Sequence, residues 1–436
     1  MTLAPAFDLS ELSDEEQLAR REAHRVAEEV LRPAAQALDA MSPSERVASG
    51  SPFFAAMATL KSLGYHRLFV SADSAGREDP AAWRVRSLVV EELGWGSLGL
   101  ATAFLVDMLP FVSVARFGTD ELRAELLQPW LEDEVASWHG CWAITEPDHG
   151  SDYLGLRDDD PGSFGRSGLL ATRSEGGWVL RGQKSAWVSS APVATHAAVH
   201  AQVASERDLH HSLFAVVPLD DPGVRRGPPV AMLGARDDPQ GELFFDEVFV
   251  PDHRVLVPPG PLYPVFGDQL LCMTSSIIAL AAVGVARAAF EEALAYARSR
   301  VQGGRVIASH KNIQLTLYGM FERVETARAY ARAVLAHTFR NVLGAGSSGT
   351  GASPRHTRTS QVYCKRVAFE VAHDAVQVCG ASGLVQGTLV ERLFRDARSL
   401  LIEDGTVEVL GLDAARDLVG NYEHDHYDVE EMMQRW

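Results

Sequence analysis

Apolar residues recur every three or four positions through the first part of the chain. From Asp14 to about Ala40, Leu18, Val26, Val30 and Leu31 fall on one side of a helix and charged residues on the other. Ser51 to Lys61 repeats the pattern. So does Val85 to Leu105, where Leu88, Val89, Leu93 and Leu98 are interrupted by Gly94, Gly96 and Gly99. Thr119-Asp-Glu-Leu opens on a capping residue and predicts a further helix to about Leu131. Near Ala136 the period shortens. Ser137–Thr145, Trp178–Arg181, Ala197–Val203, Ser212–Pro218 and Glu242–Val250 are short runs rich in β-branched and aromatic residues, parted by turn-forming clusters such as DDDPGSFG, RGPP and RDDPQGE. After Pro264 the helical period returns. An Ala-rich segment runs from Ser276 to Arg300, Ile313 to Leu335 carries an apolar stripe, and Thr359 to Val378 follows. The pattern predicts an N-terminal helical domain (1–135), a middle β-domain (136–255) and a C-terminal helical domain (256–422). GAGSSGTGASP (344–354) reads as a mobile loop and 423–436 as a peripheral acidic tail.

Composition narrows the function classes. Of the 436 residues 46% are hydrophobic, enough for a sizeable core, and 40 Lys and Arg stand against 58 acids for a net charge of −18. Such a surface repels nucleic acid and anionic membranes. No run of about 18 consecutive apolar residues appears, so no membrane span is expected, and the acidic N-terminus lacks the features of a signal peptide. Cys141, Cys272, Cys364 and Cys379 are scattered without metal-binding spacing and read as small hydrophobes in a reducing, cytoplasmic setting. No metal is expected; His424 and His426 in the tail read as solvated.

The stretch from Val376 to Glu408 holds the sharpest candidate chemistry. Asp404 stands directly before Gly405-Thr406, where an acid serves either as a positioned base or as the N-cap of the apolar helix that follows. Thr145 and Ser151 lie on a loop leaving a strand. Trp187 and Ser189, two apart, point to one face of another strand. Each also has a plain structural reading, as turn or core.

Taken together, AITEPDHGSD (143–152), GQKSAWVSSA (182–191), RVQGGRVIASHKNIQ (300–314), QVCGASG (377–383), Arg395-Asp396 and Asp404-Gly405-Thr406 resemble, in order and separation, the motifs of the acyl-CoA dehydrogenase family. The resemblance runs from about Ser13 to about Val419. It implies an α+β fold: an all-α N-terminal domain, a middle β-barrel or sandwich domain and a C-terminal four-helix bundle. It also implies FAD at the junction of the β-domain and the C-terminal helices, with an acyl thioester between flavin and base. Flavin contacts fall on Ala143, Ile144, Thr145, Ser151, Trp187 and Ser189, with Thr406 and Glu408 beyond the base. Arg300, Gln302, His310 and Ile313, and Gln377, Gly380 and Ala381, would reach the cofactor, the first of these from a neighbouring subunit. A homotetramer or homodimer is implied. Ser151, Thr274 and Gly405 fall on the substrate, and Asp404 on the base that removes the α-proton while flavin takes the β-hydride.

Several residues depart from the family pattern. Asp404 replaces the usual Glu, Ser189 the usual Thr, Ala381 a glycine and Gly303 a Phe. Thr274 occupies the alternative base position, and Ser275 stands where straight-chain members commonly carry Arg. The shorter base predicts an atypical acyl group, branched, cyclic or otherwise substituted. Coenzyme A is preferred to a carrier protein as the thioester carrier, although Arg355, His356 and Arg358 offer a basic cluster for an acidic carrier. An electron-transfer flavoprotein is the expected electron acceptor. The alternatives are a flavin-dependent monooxygenase of the same fold, which would lack the base, and a non-catalytic thioester-binding flavoprotein.

Overall fold

The computed structural model describes residues 12–70, 82–154, 167–206, 211–340 and 353–421. Helices α1 (Asp14–Val26) and α2 (Arg32–Ala40) join through a π-helical turn, Ala27–Leu31, into the first long helix expected from the periodicity. Then come α3 (Pro43–Arg46), α4 (Pro52–Ser62), α5 (Ala82–Gly96), α6 (Leu98–Asp107), α7 (Leu109–Phe117), α8 (Asp120–Leu122) and α9 (Gln128–Glu132). The helix expected over 85–105 is two helices. Ser97 breaks it, because its extended backbone and its hydroxyl cap α6 at the N–H of Leu100.

The middle domain is one sheet: β1 (Gly140–Ala143), β2 (Leu169–Ser174), β3 (Gly177–Ser189), β4 (His196–Val203), β5 (Ser212–Pro218), β6 (Val224–Arg226), β7 (Gln240–Pro251) and β8 (Val255–Val257). Its order is β6-β7-β3-β2-β4-β5-β8, with β1 parallel to β4. Strands β2, β6 and β8 were not legible from the alternation, and β3 is far longer than the Trp178–Arg181 run. Register shifts after Leu180 and after Lys184 break its period of two.

The C-terminal domain begins with α10 (Leu262–Ser299), 38 residues long. A short hairpin, β9 (Val301–Gln302) and β10 (Arg305–Val306), leads into α11 (Lys311–Thr338). Helices α12 (Pro354–Cys379) and α13 (Leu389–Leu400) complete the bundle, and α14 (Val407–Asn421) packs on α12. By composition alone α10 is apolar enough to cross a membrane, but 78% of that window is buried against other helices. The 344–352 part of the expected loop and the 423–436 tail, with His424 and His426, lie outside the described residues.

Buried polar joints lock the three parts together. Helices α5 and α10 touch backbone to backbone: a Cβ on Gly94 would sit 2.3 Å from the Ala281 carbonyl, and one on Gly284 2.2 Å from that of Glu91. Beside this contact Arg287 binds Glu91 at 2.7 Å, and Arg332 binds it at 2.9 Å. Asp107 accepts from the Gly140 N–H at 3.1 Å and contacts Lys61 and His139, fixing β1 to the N-terminal helices. The segment 233–238 meets all three domains. Arg395 on α13 pairs with Asp39 on α2 at 2.7 Å and donates to the Leu233 carbonyl at 3.2 Å. Asp396 accepts from the Ala235 N–H at 2.7 Å, and Asp237 accepts from the Ser97 hydroxyl and the Leu100 N–H.

Candidate active site

The turn from Leu401 to Thr406 is built on α12. Asp404 has φ of +52° and Gly405 +90°, so the chain reverses through two left-handed residues. Beneath them Gln361 donates to the Asp404 carbonyl at 3.0 Å, and Lys365 donates to the Gly405 carbonyl at 3.0 Å and to that of Glu403. Thr406 caps α14, its hydroxyl accepting from the Val409 N–H at 3.3 Å. The structure therefore resolves the two readings of Asp404 in one respect: the helix cap is Thr406, two residues on, and Asp404 is not needed for it.

The Asp404 side chain is exposed on the open side of this turn. Even so, the protein around it removes enough water to push its carboxyl above the ordinary range, while the Lys365 ammonium opposes the rise. Lys365 is itself fully buried. Burial pulls its ammonium down to about 8, against the attraction of Asp404 and Glu403. Glu403 faces inward. One carboxyl oxygen is buried without a partner, and burial, with Asp238, Asp404 and Asp396 nearby, holds the group protonated well above the usual carboxylate range.

The 143–151 loop reaches the same place. The Ser151 hydroxyl accepts from the Thr406 N–H at 3.0 Å. Thr145 and Ser185 hydroxyls pair at 2.6 Å, and Ala143 is buried in β1 opposite Val199. What holds this loop is Glu146, which the sequence reading passed over. It accepts from the Lys184 ammonium at 2.7 Å, the Tyr153 hydroxyl at 2.8 Å and the Ser167 hydroxyl at 2.5 Å, and from the Gly168 and Leu169 N–H groups. Lys184 also donates to the Ile144 carbonyl at 3.0 Å. A charge of each sign inside the TEP and GQKS motifs was the available signal.

At the end of β3, Trp187 is 58% exposed, which excludes its reading as a core residue. Ser189 lies on the same strand face, and its hydroxyl donates to Asp238 at 2.7 Å. Asp238 is buried; burial raises its carboxyl to about 7 despite the bonds from Ser189 and Gln240, and its second oxygen has no partner. Asp238 and Asp404 act on each other electrostatically, so Ser189, Asp238, Asp404, Thr406 and Ser151 belong to one neighbourhood.

A second group surrounds the ends of α10 and α12. Arg300 follows α10, Gln302 lies on the exposed hairpin, and Gly303 and Gly304 turn it at φ of +62° and +80°. His310 meets the Gln302 carbonyl at 3.0 Å. Gln377, Gly380 and Ala381 are exposed, and the adjoining Ser382 hydroxyl accepts from that of Tyr296 at 3.3 Å, joining the glycine turn to α10. Ile313 is half-buried on α11, Glu408 is exposed on α14, and the Thr274 hydroxyl donates to the Leu271 carbonyl within α10. A cavity of about 610 Å³ opens elsewhere, beside Trp138, His196, Arg226 and Arg254, and takes in none of the motif residues.

One expectation about charge is corrected. Beside Ser275, Arg358 reaches over from α12, donating to the serine hydroxyl at 2.7 Å while bonding Asp413 at 2.9 Å. For the same reason Arg355, His356 and Arg358 form no exposed basic cluster. Arg358 is buried, Arg355 is paired with Asp417 at 2.9 Å, and His356 contacts the Tyr330 hydroxyl at 3.1 Å.

The residues present suit FAD. An exposed indole offers a face for a planar ring system. Ser151 accepts from Thr406 and keeps its proton to give, whereas Ser189 gives its proton to Asp238 and keeps lone pairs to accept.

Comparison with known proteins identifies the family and the fold. Residues 13–134, 141–248 and 271–419 match the acyl-CoA dehydrogenase N-terminal, middle and C-terminal domains. The probable acyl-CoA dehydrogenase fadE25 of Mycobacterium leprae is 28% identical over 95% of this chain and 98% of its own. Benzylmalonyl-CoA dehydrogenase of Aromatoleum aromaticum is 30% identical over 76% of this chain and 81% of its own. In fold, the chain is similar to glutaryl-coenzyme A dehydrogenase in its glutaryl-CoA complex (TM-score 0.80, 23% identity, 97% of this chain and 100% of that one). It is also similar in fold to an FAD complex of PigA (TM-score 0.77, 20% identity, 95% and 99%). With all three domains matched in order around the motif residues, the chain belongs to the acyl-CoA dehydrogenase family of FAD-dependent oxidoreductases acting on CH–CH bonds.

Proposed function

We propose that the protein desaturates an acyl-CoA thioester between its α and β carbons, with Asp404 as the base. The observation that carries this reading is the placement of the Asp404 carboxyl: exposed on a turn whose backbone is fixed from below, and tied by the Ser151–Thr406 bond to the loop suited to flavin. FAD, when bound, supplies the hydride acceptor. Asp404 takes the α-proton. A substrate covering Asp404 would remove its remaining water and raise its basicity further. Thr145, Ser151, Trp187, Ser189 and Thr406 are assigned to FAD, Gln377 and Gly380 to its adenine end, and Arg300 and Gln302 to the cofactor of a neighbouring copy.

The acyl group is proposed to be branched, cyclic or otherwise substituted. An Asp reaches about one methylene less far than a Glu, and a misplacement of about 1 Å costs on the order of 100-fold in rate. An α-carbon lying closer to the backbone removes that handicap. Coenzyme A rather than a carrier protein is the proposed carrier, supported by the engagement of Arg355, His356 and Arg358 in internal contacts. A homo-oligomer is supported by the exposed apolar residues Val301, Leu315, Tyr318, Leu384 and Val385. An electron-transfer flavoprotein is the proposed acceptor, and the cytoplasm, where four free cysteines stay reduced, the proposed compartment.

Anaerobic titration of the FAD-loaded enzyme with a panel of thioesters, watching flavin absorbance, tests the whole reading. Bleaching by branched or cyclic acyl-CoA and none in Asp404→Asn is the expected result. Preference for straight chains would remove the substrate assignment, and unchanged bleaching in Asp404→Asn the base. Oxygen consumption by the reduced flavin without bleaching by any thioester would favour the monooxygenase.

A further inference from the structure

Gln361 and Lys365 lie four apart on α12 and so share a helix face, the one beneath the Glu403–Gly405 turn. Between them they hold three consecutive carbonyls: Gln361 that of Asp404, Lys365 those of Glu403 and Gly405. A residue with a Cβ keeps a left-handed backbone only where its surroundings impose it, and Asp404 does so here. A lysine fully withdrawn from water is costly unless negative charge lies close by. The groups facing the Lys365 ammonium are Asp404 and Glu403 on the turn and Arg358 on its own helix, and beyond Glu403 stand Asp238 and Asp396.

We propose that Lys365 and Gln361 are the positioning residues of the base: together they fix the backbone of Asp404, and Lys365 supplies the buried positive charge that keeps its carboxylate ionised. The inference rests on Asp404 as the base and explains how a short side chain serves. A Glu can adjust through an extra rotatable bond, whereas the Asp carboxylate goes where the backbone puts it. Clamping three carbonyls removes that freedom. The fixed ammonium behind the turn offsets the desolvation that bound substrate would impose, so the base enters the reaction charged.

The test uses FAD-loaded protein with ¹³C-carboxyl-labelled aspartate, the Asp404 resonance being the one missing in Asp404→Asn. In Lys365→Met the midpoint of that resonance should move up by about one pH unit or more. The limiting rate of anaerobic flavin reduction should fall at least about tenfold, its acid limb displaced upward and its substrate dependence little changed. Lys365→Arg should restore the midpoint. Gln361→Met leaves the charge in place, so it should lower the rate without moving the midpoint, and it carries the positioning claim if Lys365→Met fails to fold. An unmoved midpoint in folded Lys365→Met, or full rates in Gln361→Met, overturns the proposal. If Asp404→Asn alone retained flavin reduction, the base assignment would fail while the midpoint shift still decided the charge pairing.

Discussion

The Ser151 hydroxyl accepts a 3.0 Å hydrogen bond from the backbone N–H of Thr406, 255 positions further along the chain. This single contact couples the loop after β1 to the turn that presents Asp404. Ser151→Ala should cost about 1 kcal/mol of stability. It should also lower the rate of flavin reduction, on the order of tenfold, because the turn can then shift against the cofactor surface. Ser151→Thr keeps the oxygen and should behave closer to the parent. Stopped-flow reduction of the three proteins checks this, and equal rates in all three would show that the contact has no role in alignment.

Glu146 and Lys184 are a buried ion pair. Burial pushes the Glu146 carboxyl up, but Lys184, Ser167 and the Gly168 N–H outweigh it and leave the group below its usual range. A depressed carboxyl stabilises the fold above its unfolded pKa, and that contribution is lost as pH falls through the folded value. Chemical denaturation should show a loss of about 3–5 kcal/mol in Lys184→Met at neutral pH. The gap between Lys184→Met and parent should narrow in acid; a gap that stays constant down to the acid limit would exclude the electrostatic account.

Asp238 titrates the other way. Burial raises its carboxyl to about 7, so the stability it permits is present below the unfolded value near 4 and is lost as pH rises through 7. Asp238→Asn, which can still accept from Ser189, should melt close to the parent at or below about pH 4 and above it at pH 8. The difference should approach at most about 4 kcal/mol. Thermal melts at the two pH values decide it, and an equal gap at both would rule out the titration.

Trp187 separates a ligand-facing role from a structural one. Since it is exposed, Trp187→Ala should leave the melting temperature of the FAD-free protein within about 2 °C of the parent. FAD affinity should fall by roughly fivefold or more, the loss of one stacking contact. Fluorescence titration with FAD measures it, and a large loss of apoprotein stability with unchanged affinity would contradict the assignment.

Much of this was legible in the residues, and the exceptions have physical causes. Helices with a clean stripe, such as 313–335, were readable because the period is local. The second half of β3 was not, since two register shifts disrupt the alternation that marks a strand. Asp404 was readable as a candidate base only through the motifs around it; by local chemistry it looked like a cap, a task the structure gives to Thr406. Lys365 and Arg358 could not have been found this way. On a helix such residues look like a solvated face, and only the packing of α12 against α10 and the 403–406 turn turns them inward. The charge beside Ser275 likewise comes from 83 residues away.

The 233–238 segment has a broader consequence. A Cβ on Gly234 would fall 2.1 Å from the Arg395 carbonyl, while Ala235 and Asp237 bind Asp396 and Ser97. Its conformation is thus set by neighbours on both other domains, and theirs in part by it. None of the three can be excised without stranding a buried carboxylate in another. The contacts of this segment are therefore complete only when all three domains are folded against one another, so the joint reports on the assembly of the whole chain rather than of any one domain.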